Sequence, residues 1–217
     1  MNTYLRKMEL PEAKQTYKKH LKRHFPRDEV KPWKSIERMW KDDSYFVIGL
    51  YEDPGDVPSR KKADALRGYA FFVAPPDCDA VLLDYFAILP AYRSEGLGGR
   101  TLRRLAEMAR AEEKYILLET EDIDFAKSRA RREECTRRDA FYERNGCVKT
   151  DVKGSVFSVK YAVWMLGMPL APSQEDPLSG HIRSTAFDRA CEDMNTLYRK
   201  MVPGEKNTKF VKIRRVS

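Results

Sequence analysis

Residues 84–102 constrain this chain more than any other stretch. An apolar run from Val81 to Leu89 turns at Pro90, passes through Arg93-Ser94-Glu95-Gly96-Leu97-Gly98-Gly99, and enters a helical pattern from Arg100. Strand, glycine-rich turn and helix in that order make a seat for a pyrophosphate. Residues without side chains let the backbone approach the oxygens. The first N–H groups of a helix have no partner inside it, and the helix dipole adds a favourable field for an anion. The spacing is neither the Gly-x-Gly-x-x-Gly of dinucleotide sites nor the Gly-x-x-x-x-Gly-Lys-Ser/Thr of the P-loop. It is Arg93-x-x-Gly96-x-Gly98, which an ordinary strand-to-helix turn in need of glycine would also satisfy.

The rest of the chain narrows the choice of anion. At 217 residues the length fits one domain with an appendage, or two small domains. The four cysteines, Cys78, Cys135, Cys147 and Cys191, are widely spaced, as expected of free thiols in a reducing cytoplasm rather than of a zinc site or a disulfide framework. Residues 1–10 are polar and broken by charge, unlike a secretory leader. No apolar run approaches the roughly 18 residues needed to span a membrane. The net charge of +8 asks for an anionic partner, either nucleic acid or a polyphosphate cofactor. Lys and Arg alternate with acids along most of the chain, which reads as a solvated surface rather than a dedicated basic stripe.

The elements read in order as follows. Residues 3–9 form a short strand. Pro11 starts a helix whose apolar face is Ala13, Tyr17, Leu21 and Phe25. His20 and His24, at i and i+4 on it, lack a third metal ligand and read as surface histidines; no metal is expected. A second helix spans residues 33–41. Residues 44–51 and 67–74 are strands of a hairpin, with a loop holding Pro54-Gly55 and Pro58 between them. After the central strand and glycine turn, residues 100–113 form a helix and 115–120 a buried strand, a unit that implies a parallel pair. Glu119, Glu121, Asp122 and Asp124 make an acidic cluster, followed by helix over 127–146 with a glycine C-cap. Strands at 147–152 and 156–166, joined at Lys153-Gly154, form a terminal hairpin. Residues 168–179 hold Pro169, Pro172 and Pro177 and read as a linker. An amphipathic helix at 183–202, with Phe187, Ala190, Met194, Leu197, Tyr198 and Met201 near one face, and a short strand at 210–213 complete the chain. The domain division expected is 1–166 and an extension, 167–217.

Three features together resemble the GNAT superfamily of N-acetyltransferases: the Arg93-x-x-Gly96-x-Gly98 loop after a strand, the segment Phe141-Tyr142-Glu143-Arg144-Asn145-Gly146, and the terminal hairpin. The order of elements over residues 1–166 is also that of the family. The resemblance implies an α/β (α+β) fold: a mixed, mostly antiparallel sheet whose central parallel pair splays at the cofactor site, with helices on both faces. It implies acetyl-CoA as acyl donor. Loop amides of Glu95 to Arg100, including Gly96, Leu97, Gly98 and Gly99, with Arg93 and Ser94, would hold the pyrophosphate. Backbone groups of Ala87, Ile88 and Leu89 would pair with the pantetheine, and an N–H there would receive the thioester oxygen. The family tyrosine falls on Tyr142, as donor to the departing thiolate. The two helices near the N-terminus would help form the acceptor pocket. Where many members carry an asparagine that touches coenzyme A, this chain has Cys135, with Arg137 and Arg138 as replacements for that contact. Cys147 stands where the family has phenylalanine.

For the base, Glu119 and Glu121 lie two apart on one strand face and could draw in an ammonium and take its proton through water. Helix capping or salt bridges to the arginines nearby are the alternative. Asp84, a charge on the central strand, is a further candidate that needs a partner. The expected reaction is transfer of acetyl to a primary amine, with the acidic cluster favouring a small cationic acceptor. Two other functions fit parts of the chain: an acyl-CoA sensor without turnover, and a nucleic-acid module using residues 127–138. The second lacks zinc-finger spacing, an RNP-like strand and a helix-turn-helix. An exposed amphipathic tail helix would suit a homodimer.

Overall fold

In a computed structural model of the chain, residues 2–53, 65–157, 159–168 and 177–216 are described, the side chains of 177–183 excepted. The expected loop through Pro54, Gly55 and Pro58 lies outside these residues, as do Pro169 and Pro172 of the expected linker. The chain forms two units, one of residues 1–74 and 83–101, the other of residues 75–82 and 102–217. The strands follow the order β1-β2-β3-β4-β5-β7-β6-β8.

In unit 1, β-branched and aromatic runs give β1 (Thr3–Lys7), β2 (Tyr45–Glu52), β3 (Leu66–Val73) and most of β4 (Ala80–Ile88). β1 and β2 are antiparallel neighbours, as are β2 and β3. Between β1 and β2 come α1 (Leu10–Thr16), a π-helical turn (Tyr17–Leu21), the single turn α2 (Lys22–His24) and α3 (Trp33–Lys41). Pro11 sits in the first turn of α1, where its missing N–H costs nothing. Ala13, Tyr17, Leu21, Ile36 and Met39 bury the inner faces of these helices. Phe25 packs edge-on against Tyr85, ring centroids 5.0 Å apart.

α4 (Leu97–Ala111) begins in unit 1, and its unit 2 part turns Leu102, Leu105 and Ala106 inward. β5 (Tyr115–Glu121) follows and runs parallel to β4, whose first residues belong to the same unit. α5 (Arg129–Arg144) is capped by Ser128, whose Oγ accepts from the Arg131 N–H. It ends at Gly146 in the left-handed region (φ 85°), where the Gly146 and Cys147 N–H groups reach the carbonyls of Glu143 and Tyr142.

The terminal hairpin differs from the expected one. β6 (Val148–Val156) runs straight through Lys153-Gly154, and β7 (Val159–Leu166) starts beyond a turn at Phe157. Gly154 is a packing glycine: a Cβ on it would lie 3.1 Å from Ile213 Cδ1 and 3.3 Å from Glu119 Oε1. The tail is built into unit 2. α6 (Pro177–Met201) buries Ala186, Ala190, Met194, Leu197, Tyr198 and Met201. After α7 (Glu205–Phe210), β8 (Val211–Arg215) pairs antiparallel with β6. Arg215 ties the tail down by hydrogen bonds to Asp151, Asp188 and the Ser184 carbonyl. These residues of α6 are thus buried within the chain.

Candidate active site

Unit 1 carries the turn between β4 and α4. The Leu89 N–H donates to the Arg67 carbonyl on β3, 2.8 Å away, so it is already engaged and cannot also serve a bound pantetheine. Successive residues of a strand direct their N–H groups to opposite edges, so that of Ile88 faces away from β3. Gly68 makes this close approach achievable: a Cβ there would meet the Ala87 carbonyl at 2.9 Å. A 3-10 turn (Pro90–Tyr92) follows. Arg67 braces it, its guanidinium 3.7 Å from the Tyr92 ring centroid while pairing with Glu52. Arg93 is exposed and turns back, Nε donating to the Ile88 carbonyl at 3.0 Å. Ser94 and Gly96 both take positive φ, 68° and 72°.

The helix begins at Leu97, three residues earlier than its apolar periodicity indicates. Its first intrahelical bond runs from the Arg100 N–H to the Gly96 carbonyl at 3.2 Å. Arg100 is therefore removed from the expected set of amide donors, and its side chain folds back to the Glu95 carbonyl. The N–H groups of Leu97, Gly98 and Gly99 are those of the first turn, which a helix leaves without internal acceptors. Leu97 is buried and anchors the turn, while Gly98 and Gly99 keep side chains out of the way. This set of donors suits a pyrophosphate.

The same unit holds a buried polar network. The Asp84 carboxylate accepts from Lys31 Nζ at 2.5 Å and from the Tyr45 hydroxyl at 2.6 Å, so its partner is a lysine from the α2–α3 connection. Tyr17 and Tyr85 secure that connection, Tyr17 donating to the Lys31 carbonyl and Tyr85 to that of Glu29. Burial, reinforced by Asp84, holds the Tyr45 phenol well above its ordinary range. His24 is not the surface histidine the sequence suggests. It is half-buried, and its Nδ1 lies 2.8 Å from the Tyr69 hydroxyl. Burial first, then the cation of Arg93 and the neighbouring His20, lower its pKa. Arg67, Tyr69 and Lys31 had no signal in the sequence; their roles come from strand pairing and from a connection folded onto β4.

In unit 2 three members of the acidic cluster already have side-chain partners. Glu119 Oε2 accepts from the Tyr198 hydroxyl of α6 at 2.6 Å. Glu121 pairs with Arg131 at 2.6 Å, and Asp122, nearly buried, with Lys153 at 2.8 Å. Tyr142, half-buried, has its ring 6.4 Å from that of Trp164, whose indole N–H donates to Thr120 Oγ1. Thr120 and Glu119 are consecutive on β5, so they point to opposite faces. Burial pushes the Tyr142 phenol up to about 12, with the nearby Arg138 pulling the other way. Cys135 is fully buried and accepts from Arg138 Nη2 at 3.5 Å. Among the described residues no cluster of His, Cys, Asp and Glu could hold a metal, and no helix is long and apolar enough to cross a membrane.

No protein-family model matches the sequence, and no curated protein sequence does. Solved structures do match. A GNAT-family protein from Bacteroides thetaiotaomicron is 18% identical, with a TM-score of 0.55, covering 85% of this chain and 98% of that one. The ribosomal-protein-S18-alanine N-acetyltransferase of Escherichia coli is 16% identical, with a TM-score of 0.52, covering 81% and 99%. The aminoglycoside 6'-N-acetyltransferase of Enterococcus faecium is 14% identical, with a TM-score of 0.53, covering 80% and 100%. The mixed sheet with its β4–β5 parallel pair, and the glycine turn between β4 and α4, belong to a chain that has the fold of the GNAT acetyltransferases.

Proposed function

We propose that the chain is an acetyl-CoA-dependent N-acetyltransferase acting on a primary amine. The observation that carries this reading is the start of α4, where Leu97, Gly98 and Gly99 form the first turn after Gly96, with N–H groups that a helix leaves without internal acceptors. They would hold the pyrophosphate of coenzyme A, and the Ile88 N–H at the edge of β4 would meet the acyl arm. A solved aminoglycoside 6'-N-acetyltransferase of this fold, 14% identical with a TM-score of 0.53, holds coenzyme A. When bound, acetyl-CoA supplies an activated acyl group as its thioester.

The chain's own residues then have three tasks. Arg93, Ser94 and Glu95 shape the turn, with Arg93 fixing the end of β4 through the Ile88 carbonyl. Arg138 supplies positive charge beside Cys135 on α5. Tyr142 keeps its proton throughout the neutral range because burial raises it, and so can donate to a departing thiolate. The acceptor is proposed as a cationic amine. The acids Glu119 and Glu121 assist less directly than their sequence suggests, since both already carry strong partners.

The test is release of coenzyme A thiol from acetyl-CoA across a panel of amines, with Tyr142→Phe beside the wild type. Amine-dependent release, reduced about tenfold or more in Tyr142→Phe with acetyl-CoA affinity retained, is the expected result. Binding of acetyl-CoA with no release for any amine would favour an acyl-CoA sensor. Equal rates in both proteins would remove Tyr142 from the chemistry.

A further inference from the structure

An acceptor ammonium must lose a proton before its nitrogen can attack, and resting on the transferase reading, we propose that His24 accepts that proton at Nε2, with Tyr69 as the residue that positions its ring. His24 closes the single turn α2, and its ring is parallel to that of Tyr69, the planes 2° apart and the centroids 5.8 Å apart. Tyr69 is 1% exposed, so the imidazole is held by a fixed partner. That partner stands beside the end of β4, because the adjoining Gly68 abuts Ala87 and Ile88. Arg93, which holds the Ile88 carbonyl, is close enough for its charge to act on both His24 and Tyr69. His24 therefore belongs to the neighbourhood where β4 presents the Ile88 N–H.

The proposal takes the 2.8 Å contact between Nδ1 and the Tyr69 hydroxyl as a bond donated by the ring. A phenol oxygen accepts as well as donates. With Nδ1–H donated to the Tyr69 oxygen, the lone pair of the neutral ring lies on Nε2. Among the described residues no hydrogen bond reaches that atom. The imidazolium formed on proton transfer keeps the same Nδ1–H bond, so the ring need not turn over. The groups facing His24 are His20 from its own helical run, Arg93 from the β4–α4 turn and Tyr69 from β3. None is an acid, so together they keep the ring neutral near pH 7.

The step balances. One N–H bond of the ammonium breaks and its proton goes to Nε2. The amine's electron pair forms the N–C bond, and the C–S bond breaks with its pair on sulfur. The second amine proton passes to the thiolate, and His24 returns its proton to solvent. The products are an amide, the thiol and one proton.

Two measurements decide it. Nitrogen NMR on the wild type, with the signal assigned by loss in His24→Asn, should show the Nδ1–H tautomer of His24 at pH 7; an Nε2–H tautomer overturns the proposal. If His24→Asn fails to fold, the same spectrum assigned by its change in Tyr69→Phe gives that answer. In turnover, His24→Asn should lower kcat by about 100-fold, leave acetyl-CoA affinity measured by calorimetry within about threefold, and lose the acid limb of the pH–rate profile. A kcat within about threefold of wild type also overturns it. Failure of the wild type to bind acetyl-CoA is a separate result, and it removes the transferase reading itself.

Discussion

The turn between β4 and α4 and the acidic end of β5 are the two stretches in which the sequence concentrates chemistry, and they are wired in opposite ways. At the turn the working groups are backbone amides, set by glycines and by a helix that starts at Leu97. At the end of β5 the working groups would be carboxylates, and each of three already has a partner: Tyr198 for Glu119, Arg131 for Glu121 and Lys153 for Asp122. A site made of main chain keeps its donors whatever side chains arrive later in the sequence. A site made of carboxylates in a chain of 41 Lys and Arg residues is readily neutralised by its own cations. Charge clusters therefore report less about substrate than glycine spacing does.

That contrast can be broken by substitution. The largest effect belongs to the turn: Gly98→Glu, measured by calorimetry, should weaken acetyl-CoA by on the order of 100-fold, since a carboxylate would face the pyrophosphate. An affinity near wild type would place the phosphates elsewhere. Next comes the buried network of unit 1. Asp84→Asn should lower stability in urea by about 2 kcal/mol, somewhat less than usual for a buried pair because Lys31 keeps some contact with water. No loss would mean that Lys31 and Tyr45 find other partners. The smallest effect belongs to the acids. Glu121→Gln should cost about 1 kcal/mol of stability, the upper end for an ion pair that keeps some contact with water. Its effect on kcat should stay below a tenth of that of His24→Asn; a larger fall would return the base to unit 2.

What could be read from the sequence follows the same division. Hydrophobic periodicity placed α3 at Trp33–Lys41 and the central strand within one residue of β4. It put the start of α4 late, because Leu97, Gly98 and Gly99 form a first turn that glycine statistics disfavour and an anion site favours. In the sequence Gly154 reads as a turn, because a lone glycine looks the same whether it bends the chain or makes room for Glu119 and Ile213. The tail helix reads as amphipathic in the sequence, but only the structure reveals that it packs on β6 and β8. His24 reads as a surface histidine because its partner, Tyr69, lies 45 residues away, and no local pattern links a helix end to a strand hydroxyl. Asp84 reads as a charge in need of a partner, but that partner, Lys31, lies 53 residues away and escapes for the same reason.

The central claim is that the first turn of α4 is a coenzyme A pyrophosphate site. Calorimetric titration of acetyl-CoA into the purified protein tests it most directly, with NADH and a short DNA duplex as controls. The account requires saturable binding near one molecule per chain that neither control reproduces. A folded protein that takes up no acetyl-CoA, or that holds the duplex with steep salt dependence instead, would contradict it.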